Sequence, residues 1–223
     1  MLRKYLKINN IDIADDIIIK LENYIVLLQK WNKVHNLISC DNLDEIINKH
    51  IIDSLSVLEY TKKYLIENQL NKNILDVGTG AGLPGIILAI CMPDVNVTLI
   101  DSNIKKIAFL HQVLIELKIK NAKAVNIRVE LYEKTQDFQN KFSIVISRAF
   151  SSMVNFITLT EKIISPNGFW FAMKGKYPES ELEELTSYFS KNNIKYIKVD
   201  EIIKLAINSL DADRNLVVLK KLS

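Results

Sequence analysis

Four of the six glycines in the chain, Gly78, Gly80, Gly82 and Gly85, fall within eight residues of the stretch D-V-G-T-G-A-G-L-P-G, which runs from Asp76 to Gly85. So many missing side chains in one place mark a backbone that turns sharply and approaches a ligand closely. Gly80, Gly82 and Gly85 satisfy G-x-G-x-x-G, the phosphate-binding pattern of dinucleotide enzymes, which on its own is a weak match. About twenty residues on, Asp101 in T-L-I-D-S is placed to accept both hydroxyls of a ribose, a property shared by every adenosine-bearing cofactor. The competing reading of Asp101 is a helix N-cap ahead of Ile104. Two features favour S-adenosylmethionine over a dinucleotide. Asp76 would stand beside a pyrophosphate at an electrostatic cost, yet it suits loop amides or a cationic methionyl group. Pro84 falls in the first turn of a helix, where its missing N–H costs little. An NAD-dependent oxidoreductase is the alternative that the loop and Asp101 leave open.

A second set of residues is cationic. Arginine is scarce here, at positions 3, 128, 148 and 214, and Arg128, Arg148 and Lys174 each follow an apolar run that reads as a strand. All three then emerge at the carboxyl edge of a parallel sheet, where ligands bind in open α/β folds. Arg214 joins them if the last strand runs antiparallel. Convergent Lys and Arg suit a polyanion, and RNA in particular, since guanidinium planes also stack on splayed bases. Arg148 and Lys174 are the candidates for contact with the reacting groups. The alternative is that Arg148 and Arg214 pair with local carboxylates such as Asp211 and Asp213.

The elements that must position these residues follow from periodicity. Apolar positions recur at helical steps from Ile17 to Trp31 and again from Leu43 to Leu58, the second run opening after Asp41 as N-cap. After the polar stretch 67–73, strands are expected at 74–77, 95–100, 124–127, 142–147 and 169–173, with crossover helices at 83–90, 104–117, 153–164 and 179–189. That alternation predicts a parallel sheet with helices on both faces. The runs 194–204 and 215–220 read as a closing antiparallel pair. The chain thus divides into a helical extension, 1–66, and an α/β domain, 67–223.

Composition limits the remaining possibilities. With 223 residues, 48% of them hydrophobic and 25% charged, the chain is globular, and its net charge of +3 is too small for nucleic-acid binding through charge alone. Cys40 and Cys91 have no disulfide or zinc spacing, and His35, His50 and His111 are scattered as polar helix-face residues, so no metal is expected. Tyr5, Tyr24, Trp31 and Trp170 sit at periodic apolar positions, where core packing outranks base stacking. No leader or membrane span is legible, which points to the cytoplasm.

The segments W-N-K-V-H-N-L-I-S (31–39), H-I-I-D-S-L (50–55), D-V-G-T-G-A-G-L-P-G-I (76–86), L-I-D-S (99–102), R-V-E (128–130), I-S-R-A-F (146–150), M-K-G (173–175) and R-N-L-V-V (214–218) together resemble the bacterial 16S ribosomal RNA guanine-N7 methyltransferases, also called glucose-inhibited division protein B. The resemblance implies a class I, Rossmann-like S-adenosylmethionine-dependent methyltransferase sheet with an N-terminal helical extension. It implies a guanine in the 530 loop of 16S rRNA as target and the small ribosomal subunit as partner; a monomer is expected, though the sequence itself leaves the oligomeric state open. Cofactor contacts are implied at Gly78, Leu83, Val129, Glu130 and Arg148, joining Asp76, Gly80 and Asp101 from the loop reading. Asn36, Arg128, Lys174 and Arg214 resemble the family's substrate-facing positions. Ala81 stands where many relatives carry proline. Two further rivals are a methyltransferase for a non-RNA substrate and an RNA-binding module without catalysis.

Overall fold

The structure, a computed structural model, describes residues 1–132, 134 and 141–222. A seven-stranded sheet forms its centre: β1 (Asn73–Val77), β2 (Asn96–Asp101), β3 (Ala122–Asn126), β4 (Phe142–Arg148), β5 (Ile164–Lys174), β6 (Ile197–Lys204) and β7 (Asn215–Lys221). The order is β3-β2-β1-β4-β5-β7-β6, parallel from β3 to β5, with β7 inserted antiparallel between β5 and β6. The order reverses direction between β1 and β4, so a crevice opens beyond their carboxyl ends.

Neighbouring residues on one strand serve opposite cores, as the two-residue period demands. Ile74, Leu99, Phe169 and Val218 face one apolar cluster; Leu75, Ile100, Trp170 and Leu219 face the other. The first cluster holds α6 (Gly85–Cys91) and α7 (Ile104–Glu116) together with the whole helical extension, namely α1 (Leu2–Ile8), α2 (Asp15–His35), α3 (Leu43–Ile46), a π-helical segment (Ile47–Ile52), α4 (Asp53–Leu55) and α5 (Leu58–Glu67). The second holds α8 (Val129–Tyr132), α9 (Met153–Thr160) and α10 (Glu179–Lys191). Tyr24 and Trp31 of α2 both lean on Phe109 of α7, with ring centroids 6.1 and 5.7 Å apart.

Three local expectations are corrected. Asn42, not Asp41, caps α3, its side chain accepting from the amides of Asp44 and Glu45, while Asp41 receives the Asn32 amide. The helix expected to reach residue 164 stops at Thr160, and β5 starts at Ile164, five residues early. Residues 165–168 lie inside β5 as an irregularity, marked by a register shift against β4 and a φ of 60° at Asn167. Among the described residues, no helix is long and apolar enough to cross a membrane, and no group of three His, Cys, Asp or Glu is arranged to hold a metal.

Candidate active site

The glycine loop connects β1 to α6 with positive φ at Gly78, Gly80 and Gly82, and a cis peptide links Leu83 to Pro84. Pro84 is the residue before α6 and not its first turn. Gly85 has another role: a Cβ there would lie 2.3 Å from Leu99 Cδ2 and 2.6 Å from Asp76 Oδ2, so its absence lets helix and strand close together. Beneath the loop Asp76 is wholly buried, and its Oδ2 accepts from the Thr79 hydroxyl at 2.6 Å and the Gly85 amide at 2.8 Å. Its other oxygen has no partner among the described residues, and burial pushes the carboxyl up to about 6.

The loop's amides are almost all engaged within the chain. Thr79 N–H donates to Ile100 O, Gly80 N–H to Asp101 Oδ2, Gly82 and Leu83 N–H to Thr79 O, Gly85 N–H to Asp76, and Ile86 N–H to Gly82 O. A pyrophosphate needs free amides and a positive environment. Here it would meet spent donors and two carboxylates. Asp101 also accepts from Asn103 N–H, but the cap of α7 is Asn103 itself, so Asp101 is the brace of the loop and not the helix cap.

Two cavities meet at Gly78. One, of 260 Å³, has apolar walls of Val77, Ile100, Ile127, Val129 and Phe150 and polar edges at Asp101, Ser102, Arg128 and Glu130. The other, of 680 Å³, runs between the loop and the helical extension. Five cations line it, Lys49, Lys106, Arg148, Lys174 and Arg214, against two carboxylates, Glu45 and Asp53. That excess matches the net +3 of the whole chain, so the rest of the surface is close to neutral. The larger cavity also takes in Gly80 and Leu83. Asn36 stands just outside it, exposed, ending α2 with a left-handed φ of 49°.

The arginines are held differently from the expected local pairing. Arg148 and Arg214 both pair with Asp53 of the helical extension, Arg148 Nη1 at 3.0 Å and Arg214 Nε at 2.7 Å, and Asp211 and Asp213 make no ion pair with either; Asp213 offers Arg214 only its carbonyl. Arg148 further donates toward His50 Nδ1 at 3.0 Å and the Lys49 carbonyl at 3.3 Å. Burial and the Arg148 charge push the His50 imidazole down to about 4. Lys174 pairs with Glu181 at 2.7 Å, and exposed Arg128 has no ion pair among the described residues. Ala149 takes a left-handed φ of 57° directly after Arg148, a conformation that alanine adopts at a cost of about 1–2 kcal/mol per residue. The bend seats Phe150 over Gly78, 3.2 Å from where a Cβ would stand.

Sequence reasoning brought Gly78, Gly80, Leu83, Asp101, Arg128, Val129, Glu130, Arg148, Lys174 and Arg214 to these cavities. It missed His50 and Asp53, which the helical extension supplies, and Tyr24, whose hydroxyl donates to the Ala81 carbonyl at 2.8 Å and ties α2 to the loop. The donor set fits a cofactor that carries a purine, a ribose and a positive charge: apolar walls, Asp101 beside them, and a buried orphan oxygen on Asp76.

Known proteins share the fold and, more narrowly, the family. Among solved structures, a methyltransferase from Aquifex aeolicus described as dependent on S-adenosylmethionine superposes with a TM-score of 0.55 at 16% identity, covering 76% of this chain and 93% of its own. An rRNA methylase from Streptococcus thermophilus gives 0.52 at 16% identity, covering 74% and 95%. At these identities the likeness shows the fold. Sequence relatives are nearer: the ribosomal RNA small subunit methyltransferase G of Methylobacillus flagellatus is 41% identical over 94% of this chain and 91% of its own, and that of Hydrogenovibrio crunogenus 40% identical over 91% and 84%. Residues 17–216 match the rRNA small subunit methyltransferase G family. With that match spanning both the helical extension and the sheet, the chain belongs to this family.

Proposed function

We infer that the chain methylates 16S ribosomal RNA, using S-adenosylmethionine and transferring the methyl group to N7 of a guanine in the 530 loop. Family membership over residues 17–216 carries the reading. The loop supports the cofactor choice, since its engaged amides and two carboxylates disfavour a dinucleotide and with it the oxidoreductase alternative.

The cofactor, when bound, supplies an electrophilic methyl carbon on a cationic sulfur. Gly78, Gly80 and Leu83 would hold it from the loop, Asp101, Val129 and Glu130 along the smaller cavity, and Asp76 through its field from below. Arg148 lines the larger cavity, two residues before Phe150 of the smaller one, and Arg128, Lys174, Arg214 and Asn36 surround the side from which RNA enters. Guanine N7 presents a lone pair and no proton, so the chain needs no general base. His50 fits this, being held neutral and turned to a guanidinium. The protein's contribution is orientation of two ligands in line, with Arg148 and Lys174 nearest the reacting base. In this reading residues 1–66 form a helical extension and 67–223 the methyltransferase domain. The protein acts as a cytoplasmic monomer on the small subunit, without metal or membrane.

Tritiated methyl transfer to 30S subunits that lack the modification, followed by nucleoside mass spectrometry, tests the assignment. Label in 7-methylguanosine, lost in Arg148→Ala, is the expected result. Label in another nucleoside, or none despite cofactor binding, would sink it.

A further inference from the structure

The π-helical segment and the first residue of α4 present three acceptors to one guanidinium. The Lys49 carbonyl, the His50 ring and the Asp53 carboxylate all reach Arg148, at 3.3, 3.0 and 3.0 Å. On a helix, residues at i, i+1 and i+4 fall within about 100° of arc, so these three share one face, and the turn that carries Lys49 and His50 is a widened π turn, a geometry that recurs at functional sites. Asp53 then does a second thing: its other oxygen takes Arg214 Nε at 2.7 Å. Arg148 ends β4 and Arg214 immediately precedes β7, so one carboxylate from the helical extension joins cations from two separate strands.

The carboxylate's side chain is 4% exposed, and those of the arginines 20% and 23%. Buried ion pairs contribute little net stability, because desolvation offsets the attraction. Two guanidiniums side by side, however, repel each other, and without a shared counter-charge each would swing toward water. Both arginines retain partly exposed edges on the larger cavity, leaving donors to meet a ligand while the carboxylate fixes their separation.

We propose that Asp53 is a positioning residue for methyl transfer, holding Arg148 and Arg214 as one preset pair on the wall of the larger cavity. This role rests on the function inferred above. The helical extension is then part of the reaction centre and not only a buttress for the sheet. His50 and the Lys49 carbonyl complete the seat for Arg148, and the Asp213 carbonyl that for Arg214, whose one carboxylate partner among the described residues is Asp53.

The test is a cycle of full-length variants, Asp53→Asn, Asp53→Glu, Arg214→Ala and the double variant Asp53→Asn/Arg214→Ala, measured as single-turnover methyl transfer to 30S subunits. A displaced reacting group costs on the order of 100-fold, so Asp53→Asn should lower the rate by that much, Asp53→Glu should recover part of it, and the loss should shrink several-fold in the Arg214→Ala background. The Arg214 Nε–Hε NMR signal, slow to exchange in the parent, should exchange fast in Asp53→Asn while circular dichroism stays unchanged. A rate within about threefold of the parent, or a loss of the same size with and without Arg214, would overturn the role. So would an unchanged Arg214 signal. A parent that transfers no methyl group overturns the function itself, whereas an active parent with an unaffected Asp53→Asn overturns this role alone.

Discussion

Two buried groups in the site titrate in opposite senses over nearly the same pH window, and separating them is a demanding test of the geometry. Asp76 is raised from 3.8 to about 6, by burial first, against the Thr79 and Gly85 hydrogen bonds, with Arg148 lowering it and Asp101 raising it. Its contribution to stability is full below 3.8 and is lost as pH rises through 6. His50 is lowered from 6.5 to about 4, by burial and then Arg148, Lys49 and Arg214, against Asp53. Its contribution is full above 6.5 and is lost as pH falls through 4. At roughly 1.4 kcal/mol per pH unit, Asp76 is worth about 3 kcal/mol, and His50 about 2–3 kcal/mol once its partly exposed edge is discounted. The two nearly cancel in the parent. Asp76→Asn keeps the acceptor for Thr79 and Gly85 and places an amide where the orphan oxygen stood, a penalty that does not vary with pH. His50→Gln keeps an acceptor for Arg148. For a chain of this length about 3 kcal/mol corresponds to roughly 6–12 °C in Tm. Relative to the parent, Asp76→Asn should gain that much between pH 4 and 6.5 and His50→Gln should lose a similar amount. Thermal melts at half-unit steps read this directly. If both variants run parallel to the parent, neither group is buried as described and the reasoning fails.

Gly85→Ala would place a methyl 2.3 Å from Leu99 and 2.6 Å from Asp76, so a loss of about 1–3 kcal/mol by chemical denaturation, with weakened cofactor binding, is expected; parental stability would contradict the close approach of helix and strand. Tyr24→Phe removes the one hydroxyl that grips the loop at Ala81, and should cost about 1 kcal/mol of stability and raise the S-adenosylmethionine Kd in calorimetry, while an unchanged Kd would detach the extension from the cofactor loop. The larger cavity is lined by three more cations than carboxylates, which predicts a log–log salt slope on the order of −2 for binding single-stranded rRNA fragments, and a flat salt response would move the RNA elsewhere.

What was legible in the sequence was local. The glycine loop, Asp101 and the cations after β3, β4 and β5 are set by strand-turn-helix chemistry within a few residues, and each lies at the predicted edge. Where a local signal misled, a nearby contact outweighed it: Asp41 reads as a cap but is taken by Asn32, leaving Asn42 the position. The pairing of the arginines was not legible in this way, because Asp53 lies 95 residues from Arg148 and 161 from Arg214, and Asp211 and Asp213 offered nearer carboxylates. Yet a signal was present. His50 and Asp53 interrupt a run of Ile46, Ile47, Ile51, Ile52 and Leu55 that is buried throughout. A carboxylate set in so apolar a stretch needs a cation to be tolerated. The chain has only four arginines, and three of them, Arg128, Arg148 and, with an antiparallel last strand, Arg214, were already assigned to the sheet edge that this stretch must cover. Burial demand on one element and unmatched charge on another, taken together, would have joined the extension to the site without any structure.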